Sequence, residues 1–326
     1  MLLNILLIIV GFVLLVVGAN FLIKGASNIA LKFHIPEILI GLTIVAIGTS
    51  APELIITITS SISGNSNLII GNAIGSNFCN LLLILGLMAL IRPVKIDDDV
   101  KKFHLPVAII CVIVVFISCL NLFNQTPLTI NRIEGLIIFI LFMIYLIYPI
   151  YLEINDIIQS YRESKQNAKN SGEKNKTPSI FLSLLSLVFG IVLLKYGSDF
   201  VVDYSVKIAE IFSLSEGVIG STIVAIGTAS PELVTSIISI IKKDTDLATG
   251  NLVGSCVLNL FLILGIATMI SPLSFSLDFL NDLVLLMFST ALVWLFNYIG
   301  KKNTITRFKG VILLAVFAFY MYTLFV

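Results

Sequence analysis

Charge is scarce in this sequence. Asp, Glu, Lys and Arg together make up 12% of 326 residues, while 58% are hydrophobic and the mean hydropathy is +1.07. A water-soluble domain carries about 25% charged residues, so the shortage excludes a chain that presents most of its surface to water. Histidine is rarer still, with only His34 and His104, both at predicted loop edges. No HExxH motif and no Ser/His pairing is present, which removes the sequence basis for hydrolase chemistry. Cys79, Cys111, Cys119 and Cys256 fall inside apolar runs, without the spacing of a metal site or a disulfide framework. They read as small packing residues. The net charge is +1 and the basic residues sit in loops, not on one face, so no nucleic-acid partner is indicated. Nothing points to a cofactor or an obligate protein partner.

What the chain has is long apolar runs. About 20 apolar residues cross the hydrocarbon core as a helix. Ten such spans are predicted, near 2–23, 37–62, 68–91, 104–122, 130–152, 179–201, 216–241, 247–271, 280–299 and 307–325. The expectation is an all-α membrane protein whose main partner is the lipid bilayer. The first span lacks the basic n-region of a signal peptide and has a counterpart later in the chain, so it reads as a retained helix.

The sequence also contains itself twice. Residues 37–86 align with 216–265 without a gap, and 27 of those 50 positions are identical. Gly41–Leu54 (GLTIVAIGTSAPEL) matches Gly220–Leu233 (GSTIVAIGTASPEL), and Gly71–Gly86 (GNAIGSNFCNLLLILG) matches Gly250–Gly265 (GNLVGSCVLNLFLILG). In the first span Gly11, Leu14, Leu15, Gly18 and Phe21 match Gly190, Leu193, Leu194, Gly197 and Phe200. The organisation read from this is a five-helix repeat at 1–152 (its core 37–90), a polar linker at 153–178, and a second five-helix repeat at 179–326 (its core 216–269). An odd number of spans per copy makes the second run the opposite way through the membrane, giving inverted repeats.

Basic residues set the expected orientation through the positive-inside rule. With the N-terminus outside, 17 of the 20 Lys and Arg residues fall on inward loops, leaving Arg132, Lys195 and Lys207 elsewhere. Both termini are therefore expected to be extracellular and the 153–178 loop cytoplasmic, in a cell membrane.

The repeated motif carries the chemistry. Ala46, Thr49, Ser50 and Glu53 are spaced to share one helical face. Pro52 cannot donate a backbone hydrogen bond and clashes with the carbonyl at Gly48, which predicts a kink and released carbonyls near Ala46–Gly48. Irregular backbone at this depth is tolerated only where it faces protein or a water-filled cavity. The second copy offers Ala225, Thr228 and Glu232, with Pro231 at the kink. Ser76 and Asn80, and Ser255 and Asn259, are predicted to share faces on the following helices, while the Gly71/Gly75 and Gly250/Gly254 pairs permit close approach. Carboxylate, hydroxyl and carbonyl oxygens together suit hard cations such as Na⁺ and Ca²⁺. A carboxylate at the bilayer centre costs about 2.5–3.5 kcal/mol. One such group can be a structural hydrogen-bonding group. Two at equivalent positions, each with Thr four residues before and Pro one before, read as a cation-moving site. Among the candidate ligands the copies differ once: Thr49-Ser50-Ala51 is answered by Thr228-Ala229-Ser230, which moves the hydroxyl about 100° around the helix.

At GTSAPE with GNAIGSNFCN, and GTASPE with GNLVGSCVLN, the sequence resembles the cation/Ca²⁺ exchanger superfamily, most closely the prokaryotic Na⁺/Ca²⁺ exchangers, over essentially the whole chain. The resemblance implies a non-enzymatic antiporter that exchanges cytosolic Ca²⁺ for external Na⁺ by alternating access. It implies that Glu53 and Glu232 ligate both ions, that Thr49 and Thr228 complete a Ca²⁺ site, and that Ser50, Ser76 and Ser255 with the Ala46 and Ala225 carbonyls serve flanking Na⁺ sites. Asn80 and Asn259 would lie beside the centre, and the first and sixth helices would slide as a gate. Family members often have serine at the position of Ala229, which bears on Na⁺ binding here. K⁺-dependent relatives carry aspartate at the Asn259 position, so asparagine there speaks against a K⁺ requirement. The alternative within transporters is H⁺/Ca²⁺ exchange, since two close carboxylates can bind protons instead of Na⁺, though the hydroxyl- and carbonyl-rich faces favour Na⁺ because protons need only the carboxylates; outside transporters it is a cation channel or an intramembrane hydrolase.

Overall fold

The computed structural model describes residues 2–120, 128–171, 179–211 and 225–324. Of the sequence expectations, positions 121–122, linker residues 172–178, residues 216–224 of the second repeat and residue 325 lie outside the described residues. The helices are α1 (Leu2–Phe33), α2 (Glu37–Thr49), α3 (Ala51–Ile62), α4 (Ser66–Ile91), α5 (Val100–Leu120), α6 (Arg132–Ser171), α7 (Ile180–Ile211), α8 (Ala225–Thr228), α9 (Ser230–Ile241), α10 (Thr245–Ile270), α11 (Leu277–Leu295) and α12 (Arg307–Thr323). Among the described residues seven helices are long and apolar enough to cross a membrane, and α2 with α3 makes an eighth, bent by 49°. The chain is a mostly helical, multi-pass membrane protein. Of the ten predicted spans, the other two are represented by α8 with α9 and by the 17-residue α12, so the helix count alone stops short of ten.

Local sequence sets the helix starts. Asn65 and Asp244, equivalent in the two copies, cap α4 and α10 by accepting from the Leu68 and Leu247 amides. The predicted linker differs from expectation: α6 does not end near residue 152 but runs on to Ser171. The stretch EINDIIQSYRESKQNAK contains neither Gly nor Pro and is rich in helix formers, so nothing in it stops the helix.

Two short antiparallel ladders tie the copies together. Strand β1 (Val94–Lys95) pairs with β4 (Thr304–Ile305), and β2 (Thr129–Ile130) pairs with β3 (Leu273–Ser274). Helix α5 leads from β1 to β2, and α11 leads from β3 to β4. The equivalent helices therefore run in opposite directions between the same two ladders. At each ladder an arginine that opens one copy's last helix caps a helix of the other copy: Arg132 donates to the Ile270 carbonyl and Arg307 to the Leu90 carbonyl, both at 3.1 Å.

The same exchange appears in α1 and α7. A Cβ on Gly11 would sit 2.9 Å from the Gly197 carbonyl oxygen, one on Gly18 3.0 Å from that of Gly190, and one on Gly25 2.7 Å from that of Ser183. Partners descend α7 as they ascend α1, so these equivalent helices also pack antiparallel, backbone against backbone. Their apolar residues form a cluster with Ile40, Val45 and Leu247, separate from the main core built around α4, α5, α10 and α11.

Candidate cation site

The helix carrying the first glutamate is broken where Pro52 predicts. Ser50 leaves helical geometry (φ −83°, ψ 13°), and Pro52 and Glu53 occupy the first turn of α3. Ala229 (φ −77°, ψ 2°), Pro231 and Glu232 repeat this at α9. Proline costs nothing in a first turn, where its missing N–H has no intrahelical partner. The unpaired amides of that turn carry a partial positive charge, which favours a glutamate there. Both carboxylates are thus held at helix N-termini in the protein interior, each 1% exposed.

Close packing of glycines assembles the rest. Gly41 and Gly250 meet so tightly that a Cβ on either would stand 2.6 Å from a backbone oxygen of the other helix, Leu247 or Ile38 respectively. This brings α2 of the first copy against α10 of the second. Ser50 then donates to Glu232 Oε1 at 2.7 Å and lies 3.2 Å from Ser255 Oγ. Ser255 is 3.5 Å from the same Oε1, and Ser76 is 3.5 Å from Glu53 Oε1. Thr49 and Thr228 lie beside the glutamate of the opposite copy.

Ala46, Thr49, Ser50, Glu53 and Ser76 thus gather with Ala225, Thr228, Glu232 and Ser255 around one buried centre. Among the described residues the ion pairs are Lys102–Asp98 and Lys195–Asp199, so neither central glutamate is neutralised by a cationic side chain. Glu53 Oε2 and Glu232 Oε2 are buried without a hydrogen-bond partner among the described residues. No three of His, Cys, Asp and Glu gather among the described residues. The donor set is two carboxylates plus neutral oxygens, which fits a hard cation and not a soft one.

Asn80 and Asn259 are buried, and none of the hydrogen bonds given above reaches either. Each lies in a π-helical segment, Cys79–Ile84 or Leu258–Ile263. Both amide atoms of Asn80, and Oδ1 of Asn259, lack a partner among the described residues. Two residues absent from the sequence expectation belong to the network instead. Thr49 Oγ1 donates to Asn251 Oδ1 and Thr228 Oγ1 to Asn72 Oδ1, each at 3.1 Å and each across the copies. The signal was available: both asparagines follow a repeated glycine and precede Ser76 or Ser255 by one helical turn.

Two further expectations are corrected. The Ala46 carbonyl is not released by the kink, because it accepts the Ser50 amide at 3.0 Å, as Ala225 accepts that of Ala229 at 3.2 Å. Proline removes the donor for Gly48 and Gly227, and the Gly227 carbonyl takes the Ser198 hydroxyl at 3.0 Å. The displaced hydroxyl of the second copy, Ser230, turns back to the Ile226 carbonyl, so the position facing Glu53 is left to the Ala229 methyl. His104 is not at a loop edge; it is 3% exposed, with Nδ1 3.0 Å from the Tyr145 hydroxyl. Lys195 pairs with Asp199 on the same helix, and Asn20 bridges to Lys242 at 2.7 Å. The four cysteines are buried and unpaired.

Comparison with known proteins places this geometry in context. The sequence model of the sodium/calcium exchanger protein family matches residues 3–151 and 182–326. The chain is 34% identical to the putative antiporter CaxA of Alkalimonas amylolytica, over 98% of this chain and 97% of that protein. It is 30% identical to the sodium/calcium exchanger MaX1 of Methanosarcina acetivorans, over 99% and 98%. Its fold matches the solved sodium-calcium exchanger NCX_Mj, soaked with Na⁺ and Ca²⁺, at a TM-score of 0.79 and 29% identity, covering 98% of both chains.

Proposed function

The chain belongs to the sodium/calcium exchanger family, and from that premise we propose that it is an antiporter exchanging Na⁺ for Ca²⁺ across the cell membrane by alternating access, normally extruding Ca²⁺. The observation that carries the reading is a pair of unneutralised carboxylates sealed inside the protein among oxygen donors from both copies. Every side chain of the set is at most 4% exposed, so an ion reaches the centre only when helices move, unlike in an open pore. Binding either ion neutralises the same two glutamates. Na⁺ and Ca²⁺ therefore compete for one centre, and that competition couples their fluxes.

In this reading Glu53 and Glu232 hold both ions, and Thr49 and Thr228 complete the Ca²⁺ site. Ser50, Ser76 and Ser255, with the remaining lone pairs of the Ala46 and Ala225 carbonyls, serve Na⁺. Asn80 and Asn259 flank the centre, their unpartnered amide oxygens available to an ion displaced toward them. The antiparallel packing of α1 on α7, and the opposite run of α5 and α11, support ten spans arranged as two inverted repeats. Both termini then lie outside and residues 153–178 inside.

The test is Ca²⁺ uptake into proteoliposomes loaded with Na⁺ and diluted into Na⁺-free buffer, with Glu53→Gln and Glu232→Gln alongside. Uptake that requires internal Na⁺ and is lost in both variants is expected. Uptake driven by a proton gradient alone, or persisting without any counter-ion, would overturn the reading.

A further inference from the structure

The geometry points to Asn72 and Asn251 as positioning residues that keep the threonine hydroxyl protons off the carbonyls needed by Na⁺. The inference deepens the antiporter reading above and rests on it. The reasoning is a count of lone pairs. A carbonyl oxygen has two. At Ala46 one is used by the Ser50 amide at 3.0 Å. Thr49 Oγ1 stands 3.3 Å from the same oxygen, close enough to take the second. The hydroxyl has a single proton, however, and Asn251 Oδ1 competes for it at 3.1 Å. When Asn251 accepts, the second lone pair of Ala46 and both lone pairs of Thr49 Oγ1 are free for a cation. Without that acceptor the proton turns to the Ala46 carbonyl or to the neighbouring Glu232 carboxylate, and either way it occupies an oxygen the ion needs. The second copy repeats the choice, with Thr228 Oγ1 3.1 Å from both the Ala225 carbonyl and Asn72 Oδ1.

The two asparagines are held differently. Asn251 Nδ2 donates to Ser236 Oγ at 3.4 Å, which fixes the amide so that its oxygen faces Thr49. In the other copy Thr57 occupies the position of Ser236. There Asn72 Nδ2 and Thr57 Oγ1 both lack a partner among the described residues. The relay through Asn251 is complete and the one through Asn72 is open at its far end. Removal of Asn251 is therefore expected to cost more than removal of Asn72.

The test is a double-mutant cycle read as flux kinetics in proteoliposomes. Asn251→Leu keeps side-chain bulk without an acceptor, and Thr49→Val removes the hydroxyl proton. Asn251→Leu is expected to raise the KM for Na⁺ about tenfold, the worth of one net hydrogen bond, with a smaller change for Ca²⁺ and little in maximal rate. In the Thr49→Val background the same substitution is expected to add nothing, because no proton is left to misplace. Additive effects of the two substitutions, or a loss of maximal rate with the Na⁺ KM unchanged, would overturn the inference. Should Asn251→Leu not accumulate in the membrane, Asn72→Leu with Thr228→Val runs the same cycle at the less embedded amide. A wild-type chain that exchanges nothing overturns the antiporter reading and this inference together. A wild-type chain that exchanges Na⁺ for Ca²⁺ while the cycle is additive overturns this inference alone.

Discussion

Replacing Gly250 by alanine tests whether the ion site depends on how closely α2 and α10 approach. The added Cβ would lie 2.6 Å from the Ile38 carbonyl oxygen and 3.1 Å from the Leu42 nitrogen. Both are backbone atoms and cannot rotate away. Carbon and oxygen in ordinary contact stay about 3.3 Å apart or more, so the helices must separate by roughly 0.7 Å. The Thr49–Asn251 bond spans the same two helices at 3.1 Å. Lengthened by that amount it reaches about 3.8 Å and is no longer a hydrogen bond. Overpacking costs about 1–3 kcal/mol of stability, and the lost bond about 1 kcal/mol more. The expected result is a lower thermal midpoint in detergent and a several-fold higher KM for Na⁺ in the flux assay. Gly48→Ala, in the facing helix α2, is the control. Its Cβ would meet Ile191 Cγ1 at 3.0 Å and Cδ1 at 3.1 Å, side-chain atoms that can turn aside, so its effect on both readouts is expected to be smaller. If Gly250→Ala transports with wild-type affinity and melts with the wild type, the reasoning from helix approach to site geometry is refuted.

Other expectations follow from contacts described above. Ser50→Ala removes the 2.7 Å donor to Glu232 and should weaken Na⁺ dependence by about tenfold, the value of a hydrogen bond to a charged group; unchanged Na⁺ dependence would contradict the assignment. Ala229→Ser places a hydroxyl where the second copy has a methyl, and should raise apparent Na⁺ affinity modestly, measured in the same titration. Arg132→Ala and Arg307→Ala each remove a cap from a different helix end and should lower stability by about 0.3–1 kcal/mol apiece. Their effects on the thermal midpoint are expected to add, because the caps sit at different ladders.

How legible the site was in the sequence depends on how regular the helix is at each position. Glu53, Thr49 and Ser50 could be placed together because they flank a proline whose effect on a helix is local and known. Ser76 and Asn80 are spaced to share a face, and the turn widens to a π-helix at Cys79; Ser76 lies beside Glu53, while Asn80 forms none of the network's hydrogen bonds. Asn72 lies four residues before Ser76 and joins the network through Thr228. The Ser230 hydroxyl is displaced from the Ser50-equivalent position, but its partner, the Ile226 carbonyl four residues back in α8, gave no pattern to read. The Ala46 carbonyl was misjudged because proline removes one donor, to the carbonyl four residues back, and leaves neighbouring bonds intact.

The seam between α1 and α7 has a mechanical consequence. Gly11, Gly18 and Gly25 recur every seven residues, and Gly190 and Gly197 answer them. The seam is notched like a rack, with a tooth spacing of about 10.5 Å at 1.5 Å per residue. A slip of one helix along the other by less than a full tooth drives a side chain into bare backbone. The two helices are therefore geared to each other and must travel as one body. In the proposed antiporter, a stroke that opens the centre to one side or the other would fall between this pair and the main core, across a separate apolar cluster to which α2 and α10 contribute only Ile40, Val45 and Leu247 among its buried residues.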